Sequence, residues 1–322
     1  MVEDGFHCSV RHFKNRREWA SWFEVRSAGF GDWYTPSMPQ ATLTNNWLID
    51  NAKAAIFPEF LKEVRTATGR PVAFLASVPM YWSVVPQSLP DLSYVTEVLR
   101  FEGRKMFALA YAHRPLQEWL AQPGLFQSLS QPIRQSRLSG TNALCIIAIT
   151  VHPEFRRRGL PRILLEAAKE EAQSLGFEYV LGPFRPSAYG AFKAERRAAH
   201  SEGLFAEYCG MTGSGGLPVD PWLRAVARNG AQFVKIEPRS LVVRRSLSSF
   251  ERYRGTHRSD DWYSPAKDSW ECGETCTWYV DRARGLVTSV ESNIWGYFDL
   301  RSGISLPKAG FPEVRALPEP AG

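Results

Sequence analysis

Apolar positions along the chain change their spacing several times, and each change predicts an element. Ala143 to Val151 (ALCIIAITV) is apolar almost without a break, as in a strand buried on both faces. Pro153 ends it, and a basic turn, Glu154 to Gly159, follows. From Pro161 to Leu175 the residues Leu164, Leu165, Ala168, Ala172 and Leu175 recur at helical spacing, with Pro161 in the first turn and Gly176 placed to cap the end. Phe177 to Phe184 is apolar again. The order strand, tight basic turn, helix, strand predicts a βαβ unit whose turn lies at a helix N-terminus.

Elsewhere the pattern is looser. Trp19, Trp22 and Phe23 mark a helix over 16–25, and Ile49, Ala52, Ile56, Phe60 and Val64 predict another over Asn46–Arg65. Gly69-Arg70-Pro71 breaks the chain before a strand from Val72 to Trp82. A short helix is expected over Asp91–Leu99 and a surface loop or irregular helix over Ala121–Gly140. Near the end, the runs Thr275–Val280 and Leu286–Trp295, separated by Asp281 to Gly285, read as a β-hairpin. The hairpin and its surroundings carry Trp270, Trp278, Tyr279, Trp295, Tyr297 and Phe298, expected in the core or as a lid over a pocket. Glu291 and Asn293 lie one strand period apart, share a face and are candidate contacts for an acceptor substrate.

Composition sharpens the reading of the basic turn. Of 39 basic residues nine are lysine, leaving 30 arginines, and the net charge is +6. Arginine's rigid fork of donors suits phosphate and carboxylate. Acids interleave these charges almost everywhere, against the continuous stripe of a nucleic-acid binder; Arg156, Arg157, Arg158 and Arg162 are the exception. The first N–H groups of a helix lack intrahelical partners and carry the positive end of its dipole, so a phosphate is the expected ligand there. No apolar run reaches the roughly 18 residues of a membrane span, and the first thirty residues lack a signal-peptide core. Five cysteines at irregular positions fit reduced thiols. A cytoplasmic protein without nucleic-acid or membrane partners is expected.

The segment Val151-His-Pro-Glu-Phe-Arg156-Arg-Arg-Gly159-Leu-Pro161, after an apolar strand and opening a helix, resembles the acyl-coenzyme A motif of the GNAT superfamily of N-acetyltransferases, Gln/Arg-x-x-Gly-x-Gly/Ala. The resemblance implies an α/β fold with a mixed central sheet flanked by helices. It also implies a turn holding the cofactor pyrophosphate and a splayed strand pair admitting pantetheine. Arg156 takes the Gln/Arg position and Gly159 the glycine; Arg157, Arg158, Leu160 and Arg162 complete the turn, and Ile149 and Val151 would offer backbone groups to pantetheine. Pro161 replaces the last Gly/Ala and removes one N–H. A helix from Trp222 to Asn229, Gly230-Ala231, and strands Phe233–Ile236 and Ser240–Val243 are similar to the family's closing elements. Val226 stands where the family often has a tyrosine that protonates the departing thiolate, so the general acid is open.

The resemblance implies one acyltransferase domain over 1–247: an elaboration over 1–140, the cofactor core over 141–184, an insertion over 185–220, and the closing helix and strands over 221–247. A C-terminal extension, 248–322, packs on it. The expected donor is acetyl-CoA or another acyl-CoA, the acceptor a small-molecule amine; a homodimer is admitted. Tyr189, His200 and Tyr208, in the insertion, are the candidate catalytic residues; His152 is expected to face outward. Decarboxylation of an acyl thioester, use of a carrier-protein thioester, or silent acyl-CoA sensing are the competing readings. Cys272 and Cys276 lack the paired knuckles of a zinc site, and no metal is expected.

Overall fold

The computed structural model describes residues 2–3, 5–10, 60–85, 140–196, 203–213, 215–255, 262–271 and 276–301. They fall into two compact units, which divide within one strand, between Leu181 and Gly182. No helix among the described residues is long and apolar enough to cross a membrane.

The first unit is a mixed sheet covered by a helix. Its strands β1 (Val2–Glu3), β2 (Phe6–Val10), β3 (Leu61–Thr66), β4 (Pro71–Met80) and β5 (Ala143–Val151) pair in that order, all antiparallel. The start of β6 (Tyr179–Phe184) pairs parallel with β5. The parallel step is permitted by α1 (Leu160–Ser174), which crosses back between the two strands. Leu160, Ile163, Leu164, Leu165, Ala168 and Ala172 form its buried face, each large side chain contributing about 1.5–3 kcal/mol. The helix ends in a Schellman motif: Gly176 is left-handed at φ 76°, its N–H donates to Gln173 O at 3.0 Å, and Phe177 N–H donates to Ala172 O at 2.9 Å. Asn142 extends the sheet by a side chain, its Oδ1 accepting from Trp82 N–H at 2.8 Å and its Nδ2 donating to Trp82 O at 2.9 Å.

The expected strands over 72–82, 143–151 and 177–184 and the helix over 161–175 all form, with ends shifted by a few residues. The helix expected over Asn46–Arg65 is overturned where it is described: Leu61–Thr66 is strand β3. The spacing of four between Phe60 and Val64 satisfies a strand as well as a helix. The charges between them are not a solvated face, for buried Lys62 pairs with Glu171 of α1 at 2.7 Å and buried Glu63 with Arg65 at 2.5 Å. The expected elements over 16–25, 91–99 and 121–139 lie outside the described residues.

The second unit has an antiparallel sheet ordered β7 (Gln232–Ser246), β10 (Leu286–Asp299), β9 (Cys276–Asp281) and β8 (Ser269–Trp270). The hairpin is β9–β10, as expected. The two strands expected over 233–243 are one strand, β7. Their separation survives only as an irregular register, where Glu237 and Leu241 face Asn293 and Glu291. Helices α2 (Tyr189–Glu195), α3 (Leu204–Gly210), α4 (Pro221–Arg228) and α5 (Leu247–Gly255) accompany the sheet. Phe250 and Tyr253 of α5 pack on Trp262 and Trp278, and Phe184 packs on Trp222, Phe233 and Phe298.

Candidate active site

In the first unit the site begins with the way β5 leaves its neighbour. The parallel ladder to β6 ends at Cys145–Leu181, although β5 runs on to Val151. On the other edge, β4 pairs Ala76 with Ala148 and Ser77 with Ile146, so Ile147 is an extra residue, a β-bulge. A bulge bends its strand and increases local twist, and this one falls just where the ladder to β6 stops. His152 N–H donates to Val72 O at 2.9 Å, which makes that pair a hydrogen-bonded one. Antiparallel alternation then turns the N–H and C=O of Val151 and Ile149 away from β4, to the edge β6 has left.

The chain next makes a 3-10 turn, Pro153–Phe155, which His152 caps by accepting from Glu154 N–H at Nδ1, 3.4 Å. His152 is thus a cap, turned toward the exposed Glu154. Arg156 is extended, whereas Arg157 and Gly159 lie in the left-handed region at φ 64° and 73°. Alternation of this kind aims successive N–H groups into one concavity that suits an anion. The first hydrogen bond of α1 runs from Arg162 N–H to Gly159 O at 2.9 Å, so the N–H groups of Arg158, Gly159 and Leu160 precede it. Pro161 falls where a helix needs no donor. Arg156, Arg157, Arg158 and Arg162 are all exposed. They are not equivalent, however: the Arg158 guanidinium lies 5.2 Å from the centre of the Phe155 ring, whose surroundings also hold Arg70 at 5.1 Å.

In the second unit, the insertion folds around Asp220. This buried carboxylate caps α4 by accepting from Trp222 N–H and Leu223 N–H, both at 2.9 Å, and also takes Ala188 N–H at 2.8 Å and the Tyr208 hydroxyl at 3.0 Å. The Tyr208 proton is therefore held by Asp220. Burial, and then the Asp220 charge, push that phenol above its ordinary pKa. Tyr189 packs edge-on to Phe205 and against Tyr208. Its phenol is also pushed up, first by burial and then by the negative charge of Glu271. Among the described residues no hydrogen bond to the Tyr189 hydroxyl is found. His200 lies outside the described residues.

Two ion pairs of the second unit, one buried and one half-buried, escape sequence reasoning. Lys193 bonds Glu271 at 3.2 Å and Cys276 O at 3.1 Å, and Glu271 also accepts from Thr277 and Tyr263. Arg185 bonds Glu291 at 3.0 Å. Each links residues 78 or more positions apart, a pairing that no local spacing signals. Asp220 did carry a local signal, an Asp directly before a Pro that opens a helix. Among the described residues no group of His, Cys, Asp and Glu could hold a metal ion, and Cys8, Cys145, Cys209 and Cys276 are free thiols.

Residues 127–192 match the model of the Acetyltransferase (GNAT) family. No curated protein matches the sequence. Among solved structures, the loading GNATL domain of CurA from Lyngbya majuscula aligns over 92% of this chain and 98% of its own, with TM-score 0.50 and 13% identity. The GphF GNAT-like decarboxylase in complex with isobutyryl-CoA aligns over 92% and 100%, with TM-score 0.48 and 15% identity. A polyamine N-acetyltransferase of Drosophila melanogaster aligns over 91% and 100%, with TM-score 0.39 and 16% identity. At 13% identity the likeness to the loading domain is one of fold. The family match covers β5, the basic turn and α1, and the fold is of the GNAT kind.

Proposed function

We propose that this protein transfers an acyl group from acyl-coenzyme A to the amine of a small molecule by direct attack. The observation that carries the reading is the basic turn, where the left-handed Arg157 and Gly159 gather the N–H groups of Arg158, Gly159 and Leu160 ahead of the first helical hydrogen bond. A pyrophosphate there would meet backbone donors, the positive end of α1 and the exposed Arg156 and Arg157. Pantetheine would lie along the β5 edge to which Ile149 and Val151 turn their peptide groups. In the reaction, the amine lone pair adds to the thioester carbonyl carbon, the C–S bond breaks, and the products are an amide and the coenzyme A thiol. The nitrogen loses a proton and the thiolate gains one. Tyr189 is the residue we assign to that gain, because its hydroxyl, unlike that of Tyr208, is not committed to a carboxylate among the described residues; Tyr208, held by Asp220, packs against it.

The test combines acetyl-CoA titration with thiol release in the presence of a panel of primary amines. Arg156→Glu with Arg157→Asn is expected to weaken acetyl-CoA binding at least tenfold with an unchanged thermal midpoint, asparagine being tolerated at the left-handed position. Unchanged affinity would reject the turn as the anchor. Tyr189→Phe is expected to lower kcat by about 100-fold or more without moving the KM for acetyl-CoA. Carbon dioxide from malonyl-CoA, with no amide formed from any amine, would replace acyl transfer by decarboxylation.

A further inference from the structure

The buried face of β10 in the second unit is polar where a core strand would be apolar: Ser289, Glu291 and Asn293 follow Val287 inward, at 6, 6 and 5% exposure. Most of these polar atoms are satisfied. Glu291 accepts from Arg185 at 3.0 Å, and Asn293 Nδ2 donates to Ser240 Oγ at 2.9 Å and to Glu291 Oε1 at 3.4 Å. Asn293 Oδ1 is the exception, fully buried and without a donor among the described residues. Rotating the amide would not help, since Oδ1 would then face the Glu291 carboxylate. The Glu291–Arg185 pair therefore fixes which way the amide points, and it leaves an acceptor bare.

The backbone has made room for this arrangement. Between Glu291 and Asn293 the ladder to β7 is irregular, four residue steps on β7 from Glu237 to Leu241 facing two on β10. Ser292 Oγ donates to Pro238 O at 2.9 Å across the gap, and Ser240 is brought beneath the Asn293 amide. Such irregularities re-aim side chains and recur beside functional sites. Charge at the cluster is balanced, with Glu291 against Arg185 and Glu237 against Lys235 at 3.7 Å. The missing partner is thus an uncharged hydrogen-bond donor rather than a cation.

We infer that Asn293 Oδ1 binds an N–H of the acceptor amine in its neutral form, with Glu291, Arg185 and Ser240 as positioning residues. This rests on the acyltransfer reading for the identity of the ligand, but not for the existence of the site. Recognition of this kind would select the free base, the form that carries the nucleophilic lone pair.

The experiment uses the full chain, acetyl-CoA and benzylamine as the probe. Asn293→Leu removes the acceptor together with the Nδ2 bonds to Ser240 and Glu291, and Glu291→Gln removes the charge that orients the amide. Expected are a rise of at least tenfold in the KM for benzylamine in Asn293→Leu and a smaller rise in Glu291→Gln. The acetyl-CoA dissociation constant should stay within twofold in both variants. An unchanged benzylamine KM overturns the inference, as does a fall in midpoint and acetyl-CoA affinity together in both variants, which marks a structural role. If the wild type binds acetyl-CoA and acylates no amine, the acyltransfer reading fails. The inference is then decided by titrating benzylamine directly: binding weakened tenfold by Asn293→Leu supports it, and absence of binding to the wild type overturns it.

Discussion

The basic turn of the first unit and the polar interior of the second solve the problem of placing polar groups in opposite ways. In the turn every relevant group is local: Arg156 to Arg162 belong to one stretch of chain, their side chains are exposed, and backbone conformation alone aims the N–H groups. In the second unit the paired groups are buried or half-buried and come from distant positions, Arg185 to Glu291 and Lys193 to Glu271. The difference teaches that a cluster of backbone donors can be written in seven consecutive residues, because a helix end supplies them, whereas a buried hydrogen-bond network must be completed across the fold or it destabilises it.

The sharpest way to break this comparison is Asp220→Ala. It removes the α4 cap and leaves the buried Tyr208 hydroxyl and three peptide N–H groups without their acceptor. A loss of about 2–4 kcal/mol is expected from denaturant unfolding. A loss below 1 kcal/mol would show that the second unit tolerates broken networks as readily as the turn tolerates altered charges.

Glycines give a second, smaller contrast. A Cβ on Gly296 would meet Gln232 O, Phe184 and Phe233, each at 3.0 Å, while one on Gly159 would meet nothing within 4 Å and suffer only from its positive φ. Gly296→Ala is expected to cost about 1–3 kcal/mol through overpacking, and Gly159→Ala about 1 kcal/mol through backbone strain. Equal thermal shifts for the two would remove the distinction between packed and open environments.

The smallest effect concerns a property the two units share. Cys145 in the first and Cys209 in the second are buried, and burial raises both thiols well above their ordinary value of 9.0. Above that pH the unfolded chain releases these protons while the folded one keeps them. Stability is therefore full below pH 9 and declines as pH rises beyond it, by about 0.8 kcal/mol for each thiol at pH 9.5. Denaturant midpoints measured between pH 8 and 10 check this, and a flat profile would contradict the burial of both thiols.

Legibility in the sequence follows the same divide. The strand Ala143–Val151, the turn and the helix were readable because their signals are local: a continuous apolar run, a cluster of arginines, a proline and a glycine at the two ends of a helical repeat. Strand β3 was misread because Phe60 and Val64 are spaced to suit either element, and only pairing with β2 and β4 selects the strand. Glu291 and Asn293 were legible as residues sharing a face. That one is paired to Arg185 and the other left with a bare acceptor was not.

By itself the sequence determined the βαβ core, the place of the basic turn at a helix N-terminus and the motif that matches the GNAT family model, since hydrophobic period and helix-end chemistry act over a few residues. Tertiary structure decided the bulge at Ile147, the point at which β5 leaves β6, and the partners of every buried charge. Those depend on register and on which distant strand lies alongside, and a one-residue change of register moves a side chain to the opposite face.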